Sequence, residues 1–216
     1  MILPLVHSLD ADSPRTNLFS PSLISSPLGA LSSTPIRTSS STYIPHDPIL
    51  SCIEARALAF QGHIPPSHLE PLQLVRYLPS QHYAFHTDWF TNKAYASPSA
   101  GGNRLTSIFA YLYVSEDMVG GGTRFPMVKA KKGEEWCGIL DCDAEEGEGV
   151  TFRAVEGNAV FWGNLREGGE GNERVIHAGL PVERGEKIGM NVWTREAPVG
   201  EEGRRAVMVE GGYPVL

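Results

Sequence analysis

Apolar and polar positions along this chain change period near residue 71. Before that point, Ile49, Ile53, Ala57 and Phe60 recur at helical spacing, which gives a helix one apolar face. Asp47 can accept from the free N–H groups of the first turn, and Pro48 at the first helical position loses no hydrogen bond. Gly62 then offers a stop, so the pattern predicts a helix packed on a sheet. Beyond Pro71 the period shortens to two. Leu72–Tyr77 and Tyr83–Asp88 read as short strands, and Leu105–Val114, apolar on both faces, reads as a central one. Val150–Phe152 and Asn158–Trp162 follow, and then Ile188, Met190 and Val192 alternate with Gly189, Asn191 and Trp193. Breaks at Gly101-Gly102, Gly120 to Gly122, Gly147 to Gly149 and Gly168 to Gly171 separate these runs. Many short strands between regular turns predict a mainly β sandwich or jelly roll.

The ends lack such a pattern. Residues 1–46 are rich in Ser, Pro and Thr without a sustained period, a composition expected to be irregular or disordered. Residues 197–216 are expected to form a partly ordered tail, which leaves 47–196 as a single domain. A net charge of −7 and an acidic pI exclude the basic footprint of a nucleic-acid binder. Lys129-Ala130-Lys131-Lys132 runs straight into Glu134-Glu135 and reads as a solvated loop. The three cysteines make no disulfide framework. Cys137 and Cys142 can bridge within one loop or remain thiols. No run reaches the roughly 18 apolar residues of a membrane span, and no basic-then-apolar secretory signal is legible at the start.

Candidate chemistry lies in the strands. His86 and Asp88 stand two residues apart, so on a strand they project to the same side. A distant imidazole, His177, completes a set of two histidines and one carboxylate. Such a set leaves coordination positions open and suits non-heme Fe(II), unlike a closed structural zinc site. Lys187 heads the Ile188–Thr194 strand, where a buried ammonium can hold the far carboxylate of a dicarboxylic cosubstrate. A zinc hydrolase could use the same three ligands, but would leave Lys187 without a purpose. His7, His46, His63 and His68 read as solvated or capping side chains.

Several motifs occur in a fixed order: Leu72-Gln73-Leu74-Val75-Arg76-Tyr77, His86-Thr87-Asp88, Gly121-Gly122-Thr123-Arg124-Phe125-Pro126, Gly157 to Trp162, His177-Ala178-Gly179 and Gly185-Glu186-Lys187. From about Arg37 to Arg195 the chain resembles the prolyl 4-hydroxylase family of Fe(II)- and 2-oxoglutarate-dependent dioxygenases, its fungal members above all. The resemblance implies a double-stranded β-helix core with one or more packed N-terminal helices. It implies iron at His86, Asp88 and His177, and 2-oxoglutarate held by Lys187, Tyr77 and Thr123. Trp193 matches an aromatic near the iron, and Arg37, Ser39, Glu70, Tyr83 and Arg104 match positions lining a substrate groove. For Glu70 and Tyr83 the plainer roles, a surface carboxylate and a core aromatic, stand beside that one. The implied reaction hydroxylates a prolyl residue of a peptide or protein, consumes O2, and releases succinate and CO2, with L-ascorbate preserving the iron. The implied compartment is the endoplasmic reticulum, although no signal or anchor is legible. Members of the family usually carry more elements ahead of the Arg-Thr-Ser segment. The rival expectations are therefore a small-molecule or other-residue hydroxylase and a truncated, non-catalytic remnant.

Overall fold

The computed structural model describes residues 19–25, 31–32, 35–44, 47–130, 133–144 and 147–200. Strands β1 (Ser20–Pro21), β2 (Ile24–Ser25), β3 (Leu31–Ser32) and β4 (Ser40–Tyr43) precede helix α1 (Pro48–Phe60). After it come β5 (Gln73–Tyr77), β6 (Tyr83–His86), β7 (Arg104–Val114), β8 (Val119–Gly120) and β9 (Thr123–Phe125). The remainder are β10 (Val150–Phe152), β11 (Ala159–Gly163), β12 (His177–Gly179), β13 (Val182–Arg184) and β14 (Lys187–Arg195). A six-stranded sheet runs β1-β4-β5-β14-β7-β11, and a four-stranded sheet runs β10-β9-β12-β6. Both are antiparallel throughout. This is the mainly β jelly-roll expected, with one packed helix among the described residues.

Alternation along the long strands builds two cores. Ile188, Met190 and Val192 of β14 and Leu74 of β5 face outward and are buried against Leu50, Ala57 and Leu58 of α1. Each large aliphatic side chain so buried contributes about 1.5–3 kcal/mol. The opposite face packs Val75, Tyr77, Phe109, Tyr111, Phe125, Val160 and Trp162 between the sheets. Gly189 lies on this inner face because a Cβ there would meet the Phe109 ring at 2.2 Å.

Asp47 caps α1 as expected, its carboxylate accepting from the Leu50 N–H at 2.7 Å. Ala57 and Ile53 of the expected apolar face pack on the core, but Phe60 does not. Leu50 and Leu58 are buried, whereas Phe60 is 69% exposed and meets the exposed Phe161 edge-on. Spacing misplaced Phe60 because it is the last residue of α1. The Ser/Pro-rich segment expected to be irregular supplies β1 and β4 to the major sheet, with β4 paired with Gln73 to Arg76 of β5. A strand of Ser and Thr carries no hydrophobic alternation, so the pairing was invisible in the pattern. At the other end, Ala197 bonds Gly101 and Val199 is buried, so order extends to Gly200. His7, His46, Lys131, Lys132 and residues 201–216 lie outside the described residues. Cys137 and Cys142 form a disulfide, and Cys52 is a free, exposed thiol. No described helix is long and apolar enough to cross a membrane.

Candidate active site

His86 ends β6 and His177 opens β12, and the two residues are direct partners across the antiparallel pair. Asp88 follows His86 just beyond the end of its strand. Their nearest ligand atoms lie within 4.8 Å of one another. His86 Nε2 is 3.7 Å and His177 Nε2 3.8 Å from the same oxygen, Asp88 Oδ1. Each ring is oriented by a carbonyl two residues back: Nδ1 of His86 bonds the Ala84 carbonyl at 2.8 Å and Nδ1 of His177 bonds that of Val175, in the turn before β12, at 3.0 Å. A carbonyl only accepts, so Nδ1 carries the proton and Nε2 keeps its lone pair for a metal. Burial, reinforced by the field of His177, holds His86 well below the usual imidazole range and therefore neutral. Burial opposes charge on Asp88, but its interactions with His177, His86 and Arg104 and the Ser107 hydrogen bond favour the carboxylate and lower its pKa. Two imidazole Nε2 atoms and an anionic oxygen, with cavity beside them, form a donor set that fits Fe(II).

The second oxygen of Asp88 is engaged elsewhere. Ser107 Oγ donates to Oδ2 at 2.6 Å and Trp193 Nε1 donates to it at 3.0 Å. Arg104 lies 3.7 Å from the Trp193 ring centre and donates to the Asp88 carbonyl at 3.4 Å. On the outer side of His86, Tyr83 stacks at 3.5 Å, and Arg37 covers Tyr83 at 4.8 Å.

A cavity of about 260 Å³ opens beside these groups. Its deeper wall carries Lys187, Tyr77, Thr123 and Phe109. The Lys187 ammonium donates to the Gly121 carbonyl and lies 4.7 Å from the Tyr77 ring and 5.4 Å from that of Tyr111. No ion pair to Lys187 occurs among the described residues, and burial lowers its pKa from the usual lysine value to about 7. An ammonium so placed is stabilised by an incoming carboxylate. Burial also raises Tyr77, keeping its hydroxyl neutral. Thr123 shares a 2.6 Å hydrogen bond with Tyr111.

Arg37, Tyr83, Arg104 and Trp193 also line the cavity. Ser39 and Glu70, expected on the groove, do not reach its wall. Ser39 is buried behind Arg37, bonding Ser22 and accepting from the guanidinium. Glu70 is buried between two cations, bonding Arg104 at 2.8 and 2.9 Å and Arg195 at 2.9 Å. A carboxylate so buried is retained because it is paired. His68, expected to be solvated or capping, bonds the Arg195 carbonyl at 3.0 Å. The sequence reading missed Gln73, Asn191 and Tyr43 on the wall and Ser107 and Asn164 behind Asp88. The one signal for Ser107 was its polarity on the inward face of an otherwise apolar strand.

Residues 72–195, which carry all three candidate ligands and Lys187, match the 2OG-Fe(II) oxygenase superfamily. "Prolyl 4-hydroxylase 1" of Arabidopsis thaliana is 31% identical over 165 residues, covering 74% of this chain and 54% of the relative. "Prolyl 4-hydroxylase subunit alpha-3" of Rattus norvegicus is 32% identical over 166 residues, covering 74% of this chain and 25% of that protein. The chain thus spans about half the length of the plant relative and a quarter of the mammalian one. Among solved structures, the viral collagen prolyl hydroxylase of Paramecium Bursaria Chlorella virus-1, in complex with 2OG, superposes with a TM-score of 0.55 at 26% identity. The superposition covers 74% of this chain and 79% of that one. Ordered motifs, jelly-roll and relatives agree, and the chain belongs to the 2OG-Fe(II) oxygenase superfamily, among its prolyl 4-hydroxylase-like members.

Proposed function

We propose that this protein is an Fe(II)- and 2-oxoglutarate-dependent dioxygenase that hydroxylates a prolyl residue within a peptide or protein. The observation that carries the reading is one cavity holding both halves of the chemistry. Nε2 of His86, Oδ1 of Asp88 and Nε2 of His177 converge at one end, and Lys187, buried without a carboxylate partner among the described residues, stands at the other. His86, Asp88 and His177 hold the iron, whose role when bound is to activate O2 against 2-oxoglutarate. Lys187 pairs with the distal carboxylate of the cosubstrate, and the hydroxyls of Tyr77 and Thr123 hydrogen-bond it. Phe109 and Trp162 narrow the cavity and exclude water, which strengthens each of these contacts.

Arg37, Tyr83, Arg104 and Trp193 edge the cavity on the substrate side. Guanidinium and aromatic groups suit an extended, proline-containing peptide, which is already ordered and loses little entropy on docking. Names of the relatives support prolyl substrates, and ascorbate is the expected reductant for iron oxidised in unproductive cycles. The test is succinate release from 2-oxoglutarate with and without Fe(II), using proline-rich peptides and free proline. Stimulation by the peptides alone is expected. Equal stimulation by free proline would indicate a small-molecule hydroxylase, and no Fe(II)-dependent succinate under any condition would overturn the dioxygenase reading.

A further inference from the structure

Asp88 has two oxygens, and the structure treats them unequally. Oδ1 faces the two imidazoles at 3.7 and 3.8 Å. Oδ2 faces the protein and accepts two hydrogen bonds, from Ser107 Oγ and from Trp193 Nε1. Behind Ser107 stands Asn164, just past the end of β11, whose Nδ2 donates to Ser107 Oγ at 2.8 Å. Ser107 and Asn164 are fully buried, and neither lines the cavity. Touching neither cosubstrate nor substrate space, they act only through Asp88.

We propose that Ser107, oriented by Asn164, is a positioning residue that makes Asp88 a one-oxygen metal ligand. A hydroxyl has one proton to give. With the Asn164 amide donating to Ser107, the serine proton is directed to Asp88 Oδ2. The backbone of Asn164 is fixed on both sides, donating to Leu105 and accepting from Asn172, each at 2.8 Å. Its Oδ1 has no hydrogen-bond partner, so the amide orientation is set by the bond to Ser107. Two donors on Oδ2 draw negative charge there and stop the carboxylate from rotating. Without Ser107, the carboxylate can turn both oxygens toward the metal and occupy a coordination position that the cosubstrate or O2 requires. This inference rests on the reading that His86, Asp88 and His177 hold the metal.

The test is titration of the metal-free protein with Co(II), followed by the visible ligand-field bands, which report coordination independently of turnover. Ser107→Ala is expected to weaken Co(II) binding by about 10–100-fold, the usual effect of removing an outer partner of a metal ligand, and to alter the bands. Ser107→Thr keeps the hydroxyl and is expected to restore both. Asn164→Asp puts an acceptor where the donor stands, so two carboxylates compete for one serine proton. A loss of about tenfold with the same band change is expected. Should Ser107→Ala fail to fold, Asn164→Asp against Ser107→Thr carries the comparison. Wild-type affinity and bands in Ser107→Ala, or in Asn164→Asp if that variant stands in for it, would overturn the positioning role, provided His86→Ala no longer binds Co(II). Unimpaired Co(II) binding by His86→Ala would overturn the three-ligand reading instead.

Discussion

The two sheets divide the site unequally. The minor sheet contributes two imidazoles from strands of three and four residues, with a register irregularity right after His177. The major sheet contributes Tyr77, Lys187, Trp193 and Ser107 from β5, β7 and β14, the last two running 11 and 9 residues. Short strands suffice for the metal side because their task is local. Each histidine is oriented by a carbonyl two residues back, and the two lie side by side. An ammonium held at depth among aromatic rings needs long, well-paired strands to keep water out. The minor sheet thus supplies chemistry, and the major sheet supplies the environment in which that chemistry is strong.

This division is open to attack by mutation. The largest effect is expected at the minor sheet. His86→Ala or His177→Ala should lower Fe(II) affinity by more than the roughly 10–100-fold typical of an outer partner, and succinate release should fall to background. Bound iron after gel filtration and a succinate assay would check both. Retained iron in either variant would remove the minor sheet from the metal's coordination.

Next in size is the Glu70 junction, where the loop before β5 meets Arg104 of β7 and Arg195 of β14. Glu70→Ala leaves two buried guanidinium groups without their carboxylate, a change that costs about 3–5 kcal/mol. Urea denaturation should show that loss, and a variant as stable as wild type would deny Glu70 its structural role. Lys187→Ala should raise the 2-oxoglutarate requirement by about 10- to 150-fold, the equivalent of one charge-assisted bond of roughly 1.5–3 kcal/mol. Iron binding should be untouched, which separates the cosubstrate end of the cavity from its metal end. An unchanged requirement would leave the ammonium without its assigned partner.

A pH titration sharpens the same point. Only the protonated amine attracts a carboxylate, and Lys187 titrates near 7 in the free protein because it is buried. The charged fraction therefore falls as pH rises through 7, and the Kd for 2-oxoglutarate should climb, approaching tenfold per unit. Lys187→Arg keeps its charge throughout, so its Kd should stay flat, and a wild-type slope in that variant would assign the titration to another group. The smallest effect belongs to neither sheet. Asp47→Ala removes the α1 cap and should cost about 1 kcal/mol in a thermal melt, with the metal and cosubstrate constants unchanged.

Legibility in the sequence follows the same division. His86 and Asp88 were readable because a strand's period of two needs only near neighbours in sequence, and Lys187 only through its spacing after His177, since alone it reads as a turn-flanking surface lysine. The strands of the major sheet were visible wherever Leu, Ile and Val alternate. β4 was not, since Ser40–Tyr43 pairs through its backbone and its side chains give no pattern. Glu70 and Ser39 were misplaced for a related reason. Motif order says that a residue lies near the site, but which way its side chain turns depends on partners distant in sequence, such as Arg195 and Ser22. Ser107 and Asn164 are hidden in the same way, two polar residues whose meaning appears only when strands from different parts of the chain are paired.

The pairing of His86 with His177 has a consequence for how the chain assembles. Sliding β12 by a single position would present Ile176 or Ala178 opposite His86 and turn the second imidazole to the far side of the sheet. A mis-slid chain could still bury most of its oily side chains, yet it would offer the ion one imidazole where two are required. A metal ion taken up by this pair and Asp88 would therefore lower the free energy of the correctly aligned chain alone. On the proposed function, the metal that serves the reaction would also proofread the folding of its own site.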